Sequence, residues 1–373
     1  MKRAQLIVAD SEKDANILYA TRFFAPDPFI FLRIEGRKFI VLSDLEMDRG
    51  KKQASVDAVL SSSEIAKKLK SQGVVSSFEE IIVHLLRQYR VKSVEVPSSF
   101  SIRLADALRK KGFQIQSKPD PFFEERQFKR ADEIAAIEAS VRAVEVGFEK
   151  GVQALKRARV RQDRRLTLDG DVLTSERLRA IINTTILSLG FIPSNTIVAC
   201  GKQSADPHER GSGPLRAGEP IIVDIFPRCE KTGYYGDFTR TVVKGGASPR
   251  LREMYDAVLQ GQRWAIRQVQ DGVSGAPIHQ GLLDLFRSKG FPTGEVDGRR
   301  EGFFHGTGHG VGLEIHEAPR ISSVPAILRK GHVVTVEPGL YYSDLGGVRL
   351  EDIVVVTEKS ARNLMKYQKV FEI

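Results

Sequence analysis

The sequence predicts an α+β protein of two domains, a small mixed α/β domain over residues 1–120 and a larger one over 121–373. Three observations carry this expectation. Strand-like and helix-like signals alternate through residues 1–118. The stretch Lys118-Pro-Asp-Pro-Phe-Phe is punctuated by prolines and reads as a linker. Beyond it, long helical periodicities frame short apolar runs that carry acids and a histidine cluster. At 373 residues the chain can bury a large core, and its length suits two domains.

Taken in order, Phe29–Ile34, a Glu-Gly-Arg-Lys turn and Phe39–Leu42 read as a hairpin. Residues 62–72 and 78–89 read as helices, 91–96 as a strand, and 102–111 as a helix ended by Gly112. This part holds no cluster of His, Cys or acidic residues. After the linker, Ile134, Ile137, Val141, Val144 and Phe148 recur at helical spacing as the packed face of a long helix. A second helix spans 175–189 and stops at Gly190. Strands are expected at 196–199, 220–225 and 237–243, helices at 249–270 and 276–288, and strands at 332–337 and 348–356. No internal repeat is visible.

Composition excludes several classes. Apolar and charged fractions are those of a folded globular chain. Two cysteines, Cys200 and Cys229, form no motif and fit a reducing compartment. The apolar run after Lys2-Arg3 ends at Asp10, too short for a signal peptide's core of roughly 7–15 residues. No run approaches the roughly 20 apolar residues of a membrane span, so a cytoplasmic protein without a membrane partner is expected. The net charge of +10 raises the question of nucleic acid. The densest basic run, Lys156 to Arg165, has no interleaved aromatic residue for base stacking. It reads as a solvated connection after a helix, and no nucleic-acid partner is expected.

The chemistry is concentrated in His305-Gly-Thr-Gly-His309-Gly-Val-Gly-Leu-Glu-Ile-His316-Glu317, which holds three of the chain's seven histidines. Histidine is the commonest metal ligand and the usual proton carrier near neutral pH. Glycines at 306, 308, 310 and 312 are expected to let the backbone approach whatever the histidines hold. Four carboxylates sit in β-like runs around this cluster. Asp224 ends the apolar run Pro-Ile-Ile-Val-Asp, where a carboxylate is costly to desolvate unless paired or metal-bound. Asp237 shares a strand face with Thr239 and Thr241, and Glu351 shares one with Arg349. Glu337 follows Thr335-Val. Taken singly, each acid reads as a capped turn or an ion pair; five matching frames together read as a metal site on a sheet. Four oxygen donors and one imidazole suit Mn²⁺ or Co²⁺. Their excess negative charge points to two ions, spaced about 3.5–4 Å as in known two-metal sites, and to metal-assisted hydrolysis. Rival motifs fail: no Glu follows His305 as a zincin requires, and there is no P-loop, dinucleotide loop or Gly-x-Ser-x-Gly elbow.

These residues resemble the pita-bread metallopeptidase family, which holds Xaa-Pro aminopeptidases, prolidases, methionine aminopeptidases and creatinases. The resemblance runs from about residue 126 to the end. Residues 1–120 resemble the creatinase-like amino-terminal domain of the Xaa-Pro branch. It implies a catalytic domain on a curved antiparallel sheet covered by helices. It implies Asp224, Asp237, His309, Glu337 and Glu351 as ligands of two divalent ions, Mn or Co first and Zn possible, with Asp237 and Glu351 bridging. It implies catalytic roles for His316, His208, Glu337 and Arg349, and a substrate pocket lined by His305, His208 and Arg349. The implied activity is removal of the residue before a proline at position two, with prolidase action on dipeptides as the alternative. A homodimer is the implied assembly. A non-enzymatic relative is disfavoured because no ligand frame has been lost. The interval from Asp224 to Asp237 is longer than the family's by two residues, within Pro227–Gly233, and an even insertion keeps side chains on their faces. The interval from His208 to Asp224 is one residue shorter.

Overall fold

The computed structural model describes residues 2–373, which divide into two compact units, one up to Arg126 and the other Gln127–Ile373. The first unit is built on a six-stranded mixed sheet. Its order is Ala58–Ser61, Arg37–Leu42, Phe29–Ile34, Lys2–Ala9, Val91–Pro97 and Gln114–Lys118. The hairpin turn is only Glu35-Gly36, and both residues take the positive φ that matches the twist of antiparallel strands. Lys2–Ala9 pairs antiparallel with Phe29–Ile34 on one side and parallel with Val91–Pro97 on the other. One face of the sheet packs Leu6, Leu32 and Val94 with Ile82 and Leu86 of the Phe78–Gln88 helix. The other packs Ile7, Phe31 and Ile40 with Phe23, Phe122 and Phe123. Phe122 and Phe123, from the proline-punctuated stretch, are fully buried in this unit, which therefore extends to Arg126.

In the second unit the long periodic stretch forms the helix Ala131–Arg157, with Glu133 reaching back to accept from the Arg130 N–H. It packs on the Ser175–Ser188 helix at Gly147 and Gly151, where a Cβ would lie 2.5 and 2.9 Å from Ile186 and Ile182. Two antiparallel sheets follow. The first orders Ile197–Cys200, Ile221–Ile225 and Phe238–Val242. The second orders Glu317–Ile321, Gly308–Gly310, Val333–Val336, Asp352–Val356 and Ala361–Asn363. Alternation along its strands sends Val333, Ile353 and Val355 to the core with the first helix pair. Val334, Val336, Val354 and Val356 join the helices Pro249–Gln268 and Gly275–Ser288 instead. Helices thus cover the sheet.

One expectation is corrected. Residues 348–356 are not a single strand. Gly346–Arg349 pairs with Gly339–Tyr342, whereas Asp352–Val356 pairs with Val333–Val336. Between them the Glu351 N–H donates to the Thr239 carbonyl at 3.0 Å, so the chain changes sheets at Glu351.

Candidate metal centre

The Ile221–Ile225 strand is buried throughout and carries Asp224 inward, opposite Thr239. One oxygen of Asp224 accepts from Arg349 Nη2 at 2.7 Å, and the other, Oδ1, is buried with no hydrogen-bond partner among the described residues. Asp237 stands directly before the strand Phe238–Val242. Thr239, on the same face, donates to Glu351 Oε2 at 2.7 Å and accepts from Arg349 Nε at 3.3 Å. Thr241 Oγ1 closes a second contact on the backbone of Arg349.

His309 comes from the short strand Gly308–Gly310. Its Nδ1 lies 3.1 Å from the Gly310 carbonyl, which requires an N–H there and turns Nε2 toward the acids. Nε2 lies 3.1 Å from Glu337 and 3.6 Å from Asp237. Thr335 Oγ1 accepts from the His309 backbone and donates to Glu337. The alternating glycines do a different job from the one expected. A Cβ on Gly308 would sit 1.9 Å from the Thr335 carbonyl oxygen, and one on Gly310 2.4 Å from that of Ala318. They admit the neighbouring strands, and this crowding sets the depth of His309.

One donor atom each from Asp237, His309 and Glu351 lie within 4.8 Å of one another. Burial pushes the carboxyls of Asp237 and Glu351 well above the usual range, and each is pushed further by the other acids. Burial likewise lifts Asp224, against the pull of Arg349. Burial opposes the charge on His309, but the Glu337 hydrogen bond and carboxylate charges outweigh it and lift the ring to about 9. The same bond overrides burial at Glu337 and holds it down at about 2. A buried set of mutually repelling carboxylates, one with an orphaned oxygen, beside an imidazole nitrogen whose proton a cation would displace suits divalent cations of the oxygen-preferring kind. The site residues therefore fit such ions.

The remaining residues expected at the site surround this group. Arg349 Nη1 donates to the Tyr341 hydroxyl at 2.8 Å, and that hydroxyl lies 3.0 Å from His305 Nε2. His305 Nδ1 faces the Gly306 carbonyl, so Nε2 is the acceptor from Tyr341. Burial pushes His305 down to about 4. The His316 ring stands edge-on to His309 at 4.4 Å and is open to solvent on its outer side. Partial burial, then the neighbouring His309 charge, push it down to about 4. His208 lies on an exposed loop, close enough for its charge to bear on His305 and His316.

Sequence reasoning missed Tyr341, which has no motif and lies in a strand identified only by pairing. It also missed the buried ion pair of Lys129 with Glu317, the residue after His316, because the partners are far apart in the chain. The loop Pro227–Gly233 contains a two-residue strand, Arg228–Cys229, paired with Phe191–Ile192. Cys200 is buried beside Glu219, and burial pushes its thiol up to about 12, which makes it a poor nucleophile. Among the described residues no helix is long and apolar enough to cross a membrane.

The chain matches Metallopeptidase family M24 over residues 135–358. It is 37% identical over 177 residues to the Xaa-Pro dipeptidase of Pyrococcus furiosus, covering 47% of this chain and 48% of that protein. The chain thus spans about half the length of the curated relatives that it matches first. Solved structures share its fold, two of them the following. The X-Pro aminopeptidase from Thermotoga maritima MSB8 has a TM-score of 0.83 at 24% identity, covering 100% of this chain and 98% of that one. The prolidase from Pyrococcus furiosus has a TM-score of 0.79 at 24% identity, covering 98% and 96%.

Proposed function

The chain belongs to metallopeptidase family M24, and on that premise we propose that it is an Xaa-Pro aminopeptidase. It would remove the amino-terminal residue from peptides with proline in the second position. The observation that carries this reading is the buried gathering of Asp237, His309 and Glu351, with Glu337 on His309 and Asp224 close enough to raise its neighbours. These five would hold two divalent cations, Mn²⁺ or Co²⁺ before Zn²⁺. When bound, the ions would supply Lewis acidity toward water and the scissile carbonyl.

The chain's own residues supply positioning and hydrogen bonds. Thr335 orients Glu337, and Thr239 orients Glu351. Asp224, Tyr341 and Thr239 pin Arg349, whose charge stays beside the acids, and Tyr341 in turn fixes His305 at the pocket edge. A His316 held neutral near pH 7 has one N–H to donate, so it steadies the oxygen of the reacting carbonyl as charge develops there. His208 shares this mouth. A peptide bond before proline has no N–H, so a site that reads the carbonyl and the free amine loses nothing there. The α-amino group is attracted by the acids, which directs cleavage to the chain end. On this reading the first unit is the creatinase-like domain, the second is catalytic, and the protein works as a cytoplasmic homodimer.

A prolidase acting on dipeptides is the second reading, favoured by the Pyrococcus furiosus relative named Xaa-Pro dipeptidase. The test is kcat/KM with Mn²⁺ on Ala-Pro-Ala, Ala-Pro, Ala-Ala-Ala and acetylated Ala-Pro-Ala. Preference for Ala-Pro-Ala with no cleavage of the acetylated peptide is the expected result. Activity on Ala-Pro alone selects the prolidase. Equal rates on Ala-Pro-Ala and Ala-Ala-Ala refute proline specificity.

A further inference from the structure

Arg240 is buried to 1% exposure, yet its side chain points away from the metal ligands, on the strand face opposite Asp237 and Thr239. A buried guanidinium is costly unless its N–H groups are paired; Nε finds no partner among the described residues, so the two Nη atoms carry the pairing. Its Nη1 donates to two carbonyls, those of Thr239 and Glu351. These belong to the two backbone segments joined by the Glu351 N–H to Thr239 bond. Its Nη2 donates to Asp352 Oδ1 at 2.8 Å and to the Tyr367 carbonyl, and the guanidinium carbon lies 4.2 Å from the Phe238 ring centroid. The second oxygen of Asp352 accepts from Lys369 and Asn363. The segment from Asn363 to Lys369 is thereby tied behind the strand junction that presents Asp237 on one side and Glu351 on the other.

We propose that Arg240 is a positioning residue for the metal centre. Held by Asp352, which Lys369 holds in turn, it fixes the spacing of Asp237 and Glu351 through the backbones of Thr239 and Glu351. The proposal rests on the metal-centre reading but goes beyond it. None of Arg240, Asp352, Lys369 or Asn363 lies in the ligand set, so they reach the ions through the backbone they hold and through the field of their charges, and Arg240→Lys and Asn363→Ala leave that charge unchanged.

The experiment compares wild type with Arg240→Lys, Lys369→Met and Asn363→Ala. Each protein is stripped with chelator, its unfolding temperature is measured, and it is titrated with Mn²⁺ in a calorimeter before kcat and KM are determined on an Xaa-Pro peptide. Arg240→Lys keeps the charge but loses the fork, and is expected to weaken Mn²⁺ binding about tenfold or more, the usual worth of a residue that orients ligands. kcat should fall while KM stays within about twofold. Lys369→Met and Asn363→Ala leave the Arg240 backbone bonds in place and should weaken Mn²⁺ binding less, in the same direction. If Arg240→Lys does not fold, these two carry the test. Lower unfolding temperature with Mn²⁺ affinity and kcat unchanged in every folded variant overturns the proposal, because it shows a purely structural role. Failure of the wild type to bind Mn²⁺ overturns the metal-centre reading, and this proposal with it.

Discussion

Replacing Glu351 with Gln should make the ion-free protein more stable while making it bind metal worse. Glu351 and Asp237 offer carboxylate oxygens within 4.8 Å of each other, and Asp224 and Glu337 add to the repulsion. Two unit charges at that separation repel by about 3.5 kcal/mol at an effective dielectric constant near 20. The raised carboxyls shed part of this repulsion by taking up protons, so a net gain of about 2 kcal/mol, less than the full pair repulsion, is expected at pH 8. Gln keeps an oxygen to accept from Thr239, so that bond survives. The sign follows from linkage. Folding raises the Glu351 carboxyl above its ordinary 4.5, so its contribution favours the fold in acid and is lost as pH rises through the raised value. Stripped wild type should therefore lose stability from about pH 5 toward pH 8, and Glu351→Gln should flatten that slope. The assay is thermal unfolding of chelator-treated protein across this range. About 2 kcal/mol corresponds to roughly 4–8 °C for a unit of this size. Saturating Mn²⁺ should reverse the ranking, since ligand at a hundred times its dissociation constant adds about 2.7 kcal/mol. A stripped Glu351→Gln protein less stable than wild type at pH 8, or with the same pH slope, refutes the like-charge reasoning.

Asp237→Ala should lose bound metal, measured by elemental analysis, and nearly all peptidase activity; retention of both would remove Asp237 from the ligand set. His316→Ala should lower kcat by about 10²–10⁴-fold with metal content unchanged; loss of metal instead would make His316 a ligand. Gly308→Ala forces a methyl to 1.9 Å from the Thr335 carbonyl oxygen, so the strand must shift. The cost should be about 3 kcal/mol in denaturant unfolding, accompanied by weaker Mn²⁺ binding through His309. A variant as stable as wild type would show that the strands are not held at contact distance.

Sequence alone determined what local chemistry can encode. The histidine cluster, the acid at the end of an apolar run and the Asp237–Thr239–Thr241 face were legible because ligand type and strand alternation are written in consecutive residues. So were the long helix and its apolar face. The positive φ at Glu35-Gly36 falls within the turn read as Glu-Gly-Arg-Lys, although Arg37 and Lys38 already belong to the second strand.

Tertiary structure decided what depends on partners distant in the chain. The break of the last strand at Glu351 is set by the Thr239 carbonyl, more than a hundred residues earlier. Gly308 and Gly310 were expected to face a ligand, but their smallness is spent on the Thr335 and Ala318 carbonyls. Tyr341 gains its place only because Arg349 and His305 converge on one hydroxyl. The shifted protonation of Asp237, Glu351 and His309 likewise has no local signature. Each residue alone is an ordinary acid or base, and burying them together creates the field that a cation would neutralise.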